Sequence, residues 1–393
     1  MNELDHLLAL PEAEKAERGL LHTPREISQQ PDSWRRTYRL LEENLHRVRD
    51  FLSRVGVAGR MNIPPTVFLI GAGSSDYVGR SLVALMQSKW QCEVRAVPST
   101  DLLTGMDDFV LSDRQYLWIS FSRSGDSSEG VAVLEAALAR HPEIHHLIIT
   151  CNGGGRMADE FSGRANVLCL TLDDEVNDRG LAMTSSFSNM VVAGHCLAHF
   201  EDLAGYEPTL GQMVVTGQQF LGAAAGAAAL LAEEGFTRLC FLGTGPLRAA
   251  AVESALKVLE LTAGGISTFS ESYLGLRHGP LSAIDHETLV IGFLSGDARR
   301  RSYETDLLRE ISDKGFAGKL FAVSPSAECE ADFTDQRISI GFPHPVPDFY
   351  RPPVDVIFGQ LLGLFSSLRQ GLKPDTPSPN GAISRVVEQV KVY

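Results

Sequence analysis

The chain carries one long-range internal repeat. Phe68-Leu-Ile-Gly-Ala-Gly73 is answered by Cys240-Phe-Leu-Gly-Thr-Gly245, Ser124-Gly-Asp126 by Ser295-Gly-Asp297, and Leu147-Ile-Ile-Thr150 by Leu320-Phe-Ala-Val323, all at offsets of about 171–173 residues. A solenoid or propeller repeats every 20–50 residues or so, so this spacing implies one duplicated domain. The chain of 393 residues holds two copies comfortably, at roughly 100–200 residues per domain.

Each copy reads as alternating strand and helix. Apolar, β-rich runs fall at Thr66–Ile70, Gln115–Phe121, His146–Thr150 and Asn166–Leu172, then at Arg238–Leu242, Leu289–Leu294, Lys319–Val323 and Arg337–Phe342. Further strands are implied near Glu93 and ahead of Arg277. Amphipathic stretches of a dozen or more residues separate them, the signature of βαβ units around a parallel sheet. The fold class is therefore α/β: two tandem doubly wound, flavodoxin-like parallel sheets with helices on both faces. The expected divisions are a helical arm at 1–45, a first domain at 46–208, a second at 209–372 and a tail at 373–393, with the boundary in the helical stretch Ser186–Glu234 near the Gly205–Pro208 break. Thr23-Pro24-Arg25-Glu26 reads as a capping box with proline at the first helical position, and helices flank Pro31. The Pro374–Asn380 stretch should run as an extended loop before a short helix at about Ala382–Gln389.

Composition narrows the chemistry. With 35 Lys+Arg against 49 Asp+Glu the net charge is -14. Such a chain has no counterion-release drive toward nucleic acid and no attraction to anionic membranes. The N-terminus lacks an uninterrupted apolar stretch that could act as a signal peptide. The small-apolar run Leu221–Ala232 is too short to span a bilayer, and a cytoplasmic location is expected. The six cysteines (Cys92, Cys151, Cys169, Cys196, Cys240, Cys329) contain no CxxC pair and read as buried reduced thiols.

Two loops of the first copy could hold an anion. Gly71-Ala-Gly73-Ser74-Ser75-Asp76 follows a strand and opens a helix, where free amides and the helix dipole favour negative charge. A dinucleotide-binding fingerprint would need a small residue in place of Asp76 and an acid at the end of the next strand, and Glu93 stands at its beginning. A plain tight turn is the competing reading. Ser122-Arg123-Ser124-Gly125-Asp126-Ser127-Ser128 places four hydroxyls around one glycine at a strand-to-helix junction. That suits a phosphate monoester on a small molecule, against a simpler reading as serine N-capping. No Walker lysine is present, so nucleoside triphosphate chemistry is not indicated.

The second copy carries Glu253, Lys257 and Glu260 at i, i+4 and i+7, on one face of a helix otherwise rich in alanine and leucine. Surface pairing would explain Glu253 with Lys257 but not Glu260. A carboxylate in apolar surroundings is a candidate general base near neutral pH. His278, between Arg277 and the Gly279-Pro280 turn, has the strongest functional case of the eleven histidines. His195 and His199 stand i, i+4, but Cys196 follows His195, so the HExxH zinc pattern fails and no metal is expected.

Taken together these residues resemble the sugar isomerase (SIS) superfamily, from Glu26 to about Val390. Glu26-Ile27 with Gln30-Pro31, Gly73-Ser74-Ser75, Ser122-Arg-Ser-Gly-Asp-Ser127, Glu253-x-Ala-Leu-Lys257-x-x-Glu260 and His278-Gly-Pro280 are similar to the isomerase half of glucosamine-6-phosphate synthase. Asp178-Arg-Gly-Leu-Ala-Met-Thr-Ser-Ser186, the Glu253–Gly264 segment and Asp375-Thr-Pro-Ser-Pro-Asn-Gly381 with Arg385-Val386-Val387 look closest to a bacterial subfamily. Its members are known as tagatose-6-phosphate ketose/aldose isomerases or galactosamine-6-phosphate deaminase/isomerases.

The resemblance implies a sugar-phosphate enzyme without cofactor or metal, a homodimer or higher oligomer with a shared active site. Ser74, Ser75, Ser122, Arg123, Ser124 and Ser127 would bind the 6-phosphate, His278 open the ring and Glu260 shuttle a proton between C2 and C1. Lys257 and Arg385 would stabilise developing oxyanions. The isomerase pattern begins within about 26 residues, leaving no glutaminase to supply ammonia, so ammonia release is the expected direction. The synthase's tail lysine is replaced by Ser384-Arg385, and an arginine stays protonated and forms no imine. A hexose-phosphate isomerase, a glucosamine-6-phosphate deaminase and a non-catalytic sugar-phosphate sensor are the alternatives.

Overall fold

The computed structural model describes residues 2–57, 64–326, 339–386 and 391. They fall into two compact units that alternate along the chain. One is drawn from 32–178, 185–208 and 384–393, the other from 1–31, 179–184 and 209–383.

The first unit is built on β1 (Thr66–Gly71), β2 (Val94–Pro98), β3 (Tyr116–Ser122), β4 (His145–Thr150) and β5 (Val167–Thr171). All pairings are parallel, in the order β2-β1-β3-β4-β5. Every residue of β1 and β3 is buried, which is why both read as continuous apolar runs: helices cover both faces. On one face Phe68, Trp118 and Tyr116 pack with Val97, Leu102 and Val133. Farther along the same face, Ile148 and Val167 meet Leu134, Met157 and Phe161.

The second unit repeats the plan with β6 (Arg238–Leu242), β7 (Ser267–Glu271), β8 (Thr288–Phe293), β9 (Lys319–Ser324) and β10 (Ser339–Gly341). The order β10-β9-β8-β6-β7 is the same permutation read from the opposite edge. The repeat extends to single dihedrals. Gly73 and Gly245, which open the helices after β1 and β6, have φ, ψ of +56°, −128° and +59°, −127°, a region essentially restricted to glycine. In each sheet the strand order reverses between the first and third strands, the switch point where open α/β sheets bind ligands.

Several expectations require correction. The strand edges β2 and β7 carry more polar residues than the central strands and were legible only through their neighbours. The capping box at Thr23 does not form: the helix Thr23–Ser28 begins at Thr23, with Pro24 second. Its first amides are capped from far along the chain, where Asp375 Oδ1 accepts from the Thr23 N–H and the Thr23 hydroxyl, both at 2.8 Å. Glu26 instead accepts from the Arg179 N–H at 2.5 Å and the Gly180 N–H at 3.3 Å. The tail forms bends, not helix, over 382–386. The remainder of that expected helix, Cys329 and residues 337–338 lie outside the described residues. Leu221–Ala232 belongs to the 27-residue helix Glu207–Glu233, long and apolar enough by length and composition to cross a bilayer. Here it buries Leu210, Met213, Val214 and Phe220 in its own unit, and Thr216 donates to the His344 carbonyl at 3.3 Å.

Candidate active site

In the first unit the two serine loops leave the carboxyl ends of β1 and β3. Gly71 is required by proximity, since a Cβ there would lie 2.3 Å from the Ser75 carbonyl carbon. That tight passage sets Ser74 and Ser75 at the start of the helix Ser74–Trp90, where the helix dipole favours negative charge. Asp76 is nearly buried and pairs with Arg80 at 2.6 Å. Burial raises its carboxyl pKa against the opposing pull of Arg80.

The second loop is held by its own hydroxyls. Ser122 Oγ accepts from the Gly125 N–H at 3.0 Å and Ser124 Oγ from the Asp126 N–H at 3.2 Å. Asn152 Nδ2 donates to the Ser124 carbonyl at 2.8 Å, and Asp126 Oδ1 accepts from the Arg156 N–H at 2.8 Å. Ser127 occupies the N-cap of the helix Ser128–Arg140 without a side-chain capping bond, so N-capping does not account for it.

The Arg123 guanidinium, largely buried, donates to the carbonyl of Arg385 in the tail. The Arg385 guanidinium turns into the protein. Nε donates to the Asp178 carbonyl at 2.7 Å and an Nη to Asn177 Oδ1 at 2.7 Å. Asp178 is wholly buried and accepts from the Ser185 and Ser186 amides at 3.0 and 2.9 Å and from the Ser186 hydroxyl at 2.5 Å, fixing the start of the helix Ser185–Ala198.

In the second unit the helix Pro246–Leu261 carries Glu253, Lys257 and Glu260. Lys257 is fully buried and sits 3.3 Å from Glu253 Oε1 and 2.5 Å from Glu260 Oε2. Glu253 is also fully buried, whereas Glu260 is 24% exposed. The apolar enclosure expected for Glu260 thus belongs to Glu253, and Glu260 is the member that faces outward. Burial works to lower the Lys257 pKa, but the two carboxylates outweigh it and the net shift is upward. Lys257 is therefore an ammonium at neutral pH, and the neutral amine needed to attack a carbonyl is disfavoured.

His278 lies in the same unit, on the exposed turn after the short helix Tyr273–Leu276. Its backbone N–H donates to the Gly275 carbonyl at 3.0 Å. Arg277 beside it is held by Glu310 at 2.8 Å and Asp306 at 2.9 Å. His195 Nδ1 lies 3.1 Å from the Tyr206 hydroxyl, and both the His195 and His199 rings pack on Tyr206, which is a packing role.

The structure thus brings Lys257 to Glu260, and Arg385 to Arg123 within the serine-loop unit. Sequence reasoning missed Asn152 and Asn177 and gave Asp178 no role. The glycine run Gly153-Gly-Gly155 directly after Asn152 was the available signal for a third tight loop at the carboxyl edge of the sheet.

A family model described as the SIS domain matches residues 63–200. The D-galactosamine-6-phosphate deaminase AgaS of Escherichia coli is 34% identical over 389 residues, covering 94% of this chain and 95% of the relative. The AgaS deaminase of Shewanella sp. (strain ANA-3) is 31% identical over 392 residues, with 99% and 96% coverage. Among solved structures, the tagatose-6-phosphate ketose/aldose isomerase from Escherichia coli superimposes with a TM-score of 0.83 at 32% identity, covering 90% of this chain and 95% of that one.

Proposed function

The chain belongs to the SIS-domain family of sugar-phosphate deaminases and isomerases, and from that premise we propose that it converts D-galactosamine 6-phosphate and water to D-tagatose 6-phosphate and ammonium. The observation that carries the proposal is the 2.5 Å pair between the outward-facing Glu260 and the buried Lys257 ammonium. It sets a partly exposed carboxylate against a fixed buried cation, on a helix of the unit that also carries His278.

The phosphate role falls to Ser74, Ser75, Ser122, Arg123, Ser124 and Ser127, whose loops offer hydroxyls and helix-start amides. His278 transfers the proton that opens the pyranose. Glu260 removes the C2 proton of the open-chain aldehyde while O1 gains a proton, giving an enolamine. Returning the proton to C1 leaves a ketimine at C2, which water hydrolyses to the ketone and ammonia. Lys257 has no exposed surface and acts through Glu260 as a positioning residue. Arg385 serves the phosphate side by holding Arg123 and the Asn177–Asp178 corner. A cytoplasmic homodimer or higher oligomer is part of the same reading, and sedimentation of the full chain tests the assembly.

A second reading, isomerisation of a hexose 6-phosphate without nitrogen, is supported by the name of the Escherichia coli structural relative. It uses the same proton transfer without hydrolysis. An ammonium-release assay run beside a ketose assay on galactosamine, glucosamine, galactose and glucose 6-phosphates separates the two. Equimolar ammonium and ketose from galactosamine 6-phosphate is expected. Ketose formed only from the nitrogen-free sugars would replace the deaminase reading with the isomerase one.

A further inference from the structure

The switch point of the second sheet repeats the geometry of the first, with one difference. Asp297 N–H donates to Ser295 Oγ at 3.1 Å, as Asp126 N–H does to Ser124 Oγ at 3.2 Å. In the first loop, however, the Gly125 amide is consumed by Ser122 Oγ. The residue in that position of the second loop is Phe293, which has no acceptor. The Gly296 amide is therefore left to an outside anion, and that anion is present: the Asp348 carboxylate.

Asp348 Oδ1 accepts from the Gly296 N–H at 2.8 Å, and Oδ2 accepts from the Ser295 hydroxyl. Arg300 lies 3.5 Å from Oδ2 and Arg351 3.6 Å from Oδ1. Asp348 is 8% exposed, while Arg300 beside it is 43% exposed, so the cradle opens to solvent on the Arg300 side. The loop is braced from behind. Arg301 donates to the Ser295 and Gly296 carbonyls at 2.7 and 3.1 Å, and buried Glu304 accepts from the Ser295 N–H at 2.7 Å. A hydroxyl, a glycine amide and the solvent-facing Arg300 guanidinium converge on one negative group, with Arg351 behind them held by Asp355 at 2.9 and 3.1 Å, and together they form a donor set suited to phosphate. None of these residues has a role in the proposed reaction.

We propose that this switch point is a phosphate cradle closed in cis by Asp348, a second anion site that takes orthophosphate or a phosphate monoester when the carboxylate is removed. The test is equilibrium dialysis of the full-length chain against ³²P-orthophosphate. The quantity read is the difference in bound phosphate per chain between variants, so the result does not depend on whether the first-unit loops also bind. Asp348→Ala is expected to bind one phosphate more than the wild type. Adding Ser295→Ala to that variant should weaken the extra binding at least tenfold. Competition by unlabelled glucose 6-phosphate then distinguishes a site open to monoesters from one that admits only orthophosphate. A folded Asp348→Ala chain that binds no more phosphate than the wild type overturns the proposal. If Asp348→Ala unfolds in phosphate-free buffer, saturating phosphate should restore its circular dichroism. Failure of that rescue, for Asp348→Ala and for the near-isosteric Asp348→Asn, also overturns it.

Discussion

Replacing Lys257 by methionine examines the Glu253–Lys257–Glu260 cluster through its energetics. The substitution keeps the chain length and apolar stem of the lysine and removes only its charge, leaving the wholly buried Glu253 without its cation at 3.3 Å. At an effective dielectric of about 20, the attraction across that distance is roughly 5 kcal/mol, and desolvation of the two groups offsets much of it. Removing one partner of such a pair costs about 3–5 kcal/mol, because the other charge stays buried and uncompensated. Urea unfolding at pH 7.5 should show a loss of that size. The double variant Glu253→Gln/Lys257→Met should recover about half of it, since the stranded carboxylate is then gone. The Lys257 pKa is raised on folding from its ordinary value of 10.5. Its contribution is therefore fully present below that value and is lost only as pH rises through the higher folded value. The gap between wild type and Lys257→Met should accordingly not close from pH 7 to 9, and any change should be a widening, because a buried carboxyl that has lost its cation costs more as it ionises. A Lys257→Met chain within about 1 kcal/mol of wild type, or a gap that closes by pH 8, would refute the charged buried group.

Two further outcomes follow from the first unit. His146 is wholly buried against Trp118, and neither ring nitrogen has a hydrogen-bond partner among the described residues. Burial, with His145 adding to it, lowers its pKa from 6.5 to about 3. A depressed group gives stability that is present above pH 6.5 and is lost as pH falls toward the folded value, about 2 kcal/mol between pH 7 and 5. Urea titrations at both pH values should show His146→Phe less acid-sensitive than wild type by that amount, and equal sensitivity would count against it. Ser124→Ala removes a hydroxyl assigned to the phosphate, a charge-assisted bond of about 1.5–3 kcal/mol. Steady-state kinetics should therefore show KM for the sugar phosphate rising roughly ten- to hundredfold with kcat changed far less, and an unchanged KM would remove Ser124 from the phosphate site.

The central strands and both glycine turns were legible because they follow local rules. A strand buried on both faces must be apolar throughout, as in Phe68–Ile70 and Leu289–Phe293, and a chain turning at Gly73 or Gly245 needs a glycine. The duplication was legible for the same reason, since both copies obey the same constraints at the same places. What escaped was whatever depends on residues distant in sequence. The Thr23 helix is capped by Asp375, about 350 residues away, and no local pattern could announce that Glu26 would turn to Arg179 and Gly180 instead. The i, i+4, i+7 spacing correctly gathered Glu253, Lys257 and Glu260 on one face. It could not say which carboxylate is enclosed, because that is decided by the neighbouring elements packed on the helix. Asp348 lies in a proline-rich connection with no motif of its own, and only the folded chain brings it to Ser295.

The measurement that bears most directly on the central claim is the turnover of galactosamine 6-phosphate by Glu260→Gln. Glutamine preserves the side-chain shape and can still meet the Lys257 ammonium, but it cannot accept the C2 proton. Loss of a positioned general base corresponds to roughly 10²–10⁴-fold in rate. Ammonium release should therefore fall by that factor in kcat while KM stays within about threefold. A Glu260→Gln enzyme that releases ammonium within tenfold of the wild-type kcat would contradict the assignment of Glu260 as the proton-transfer group.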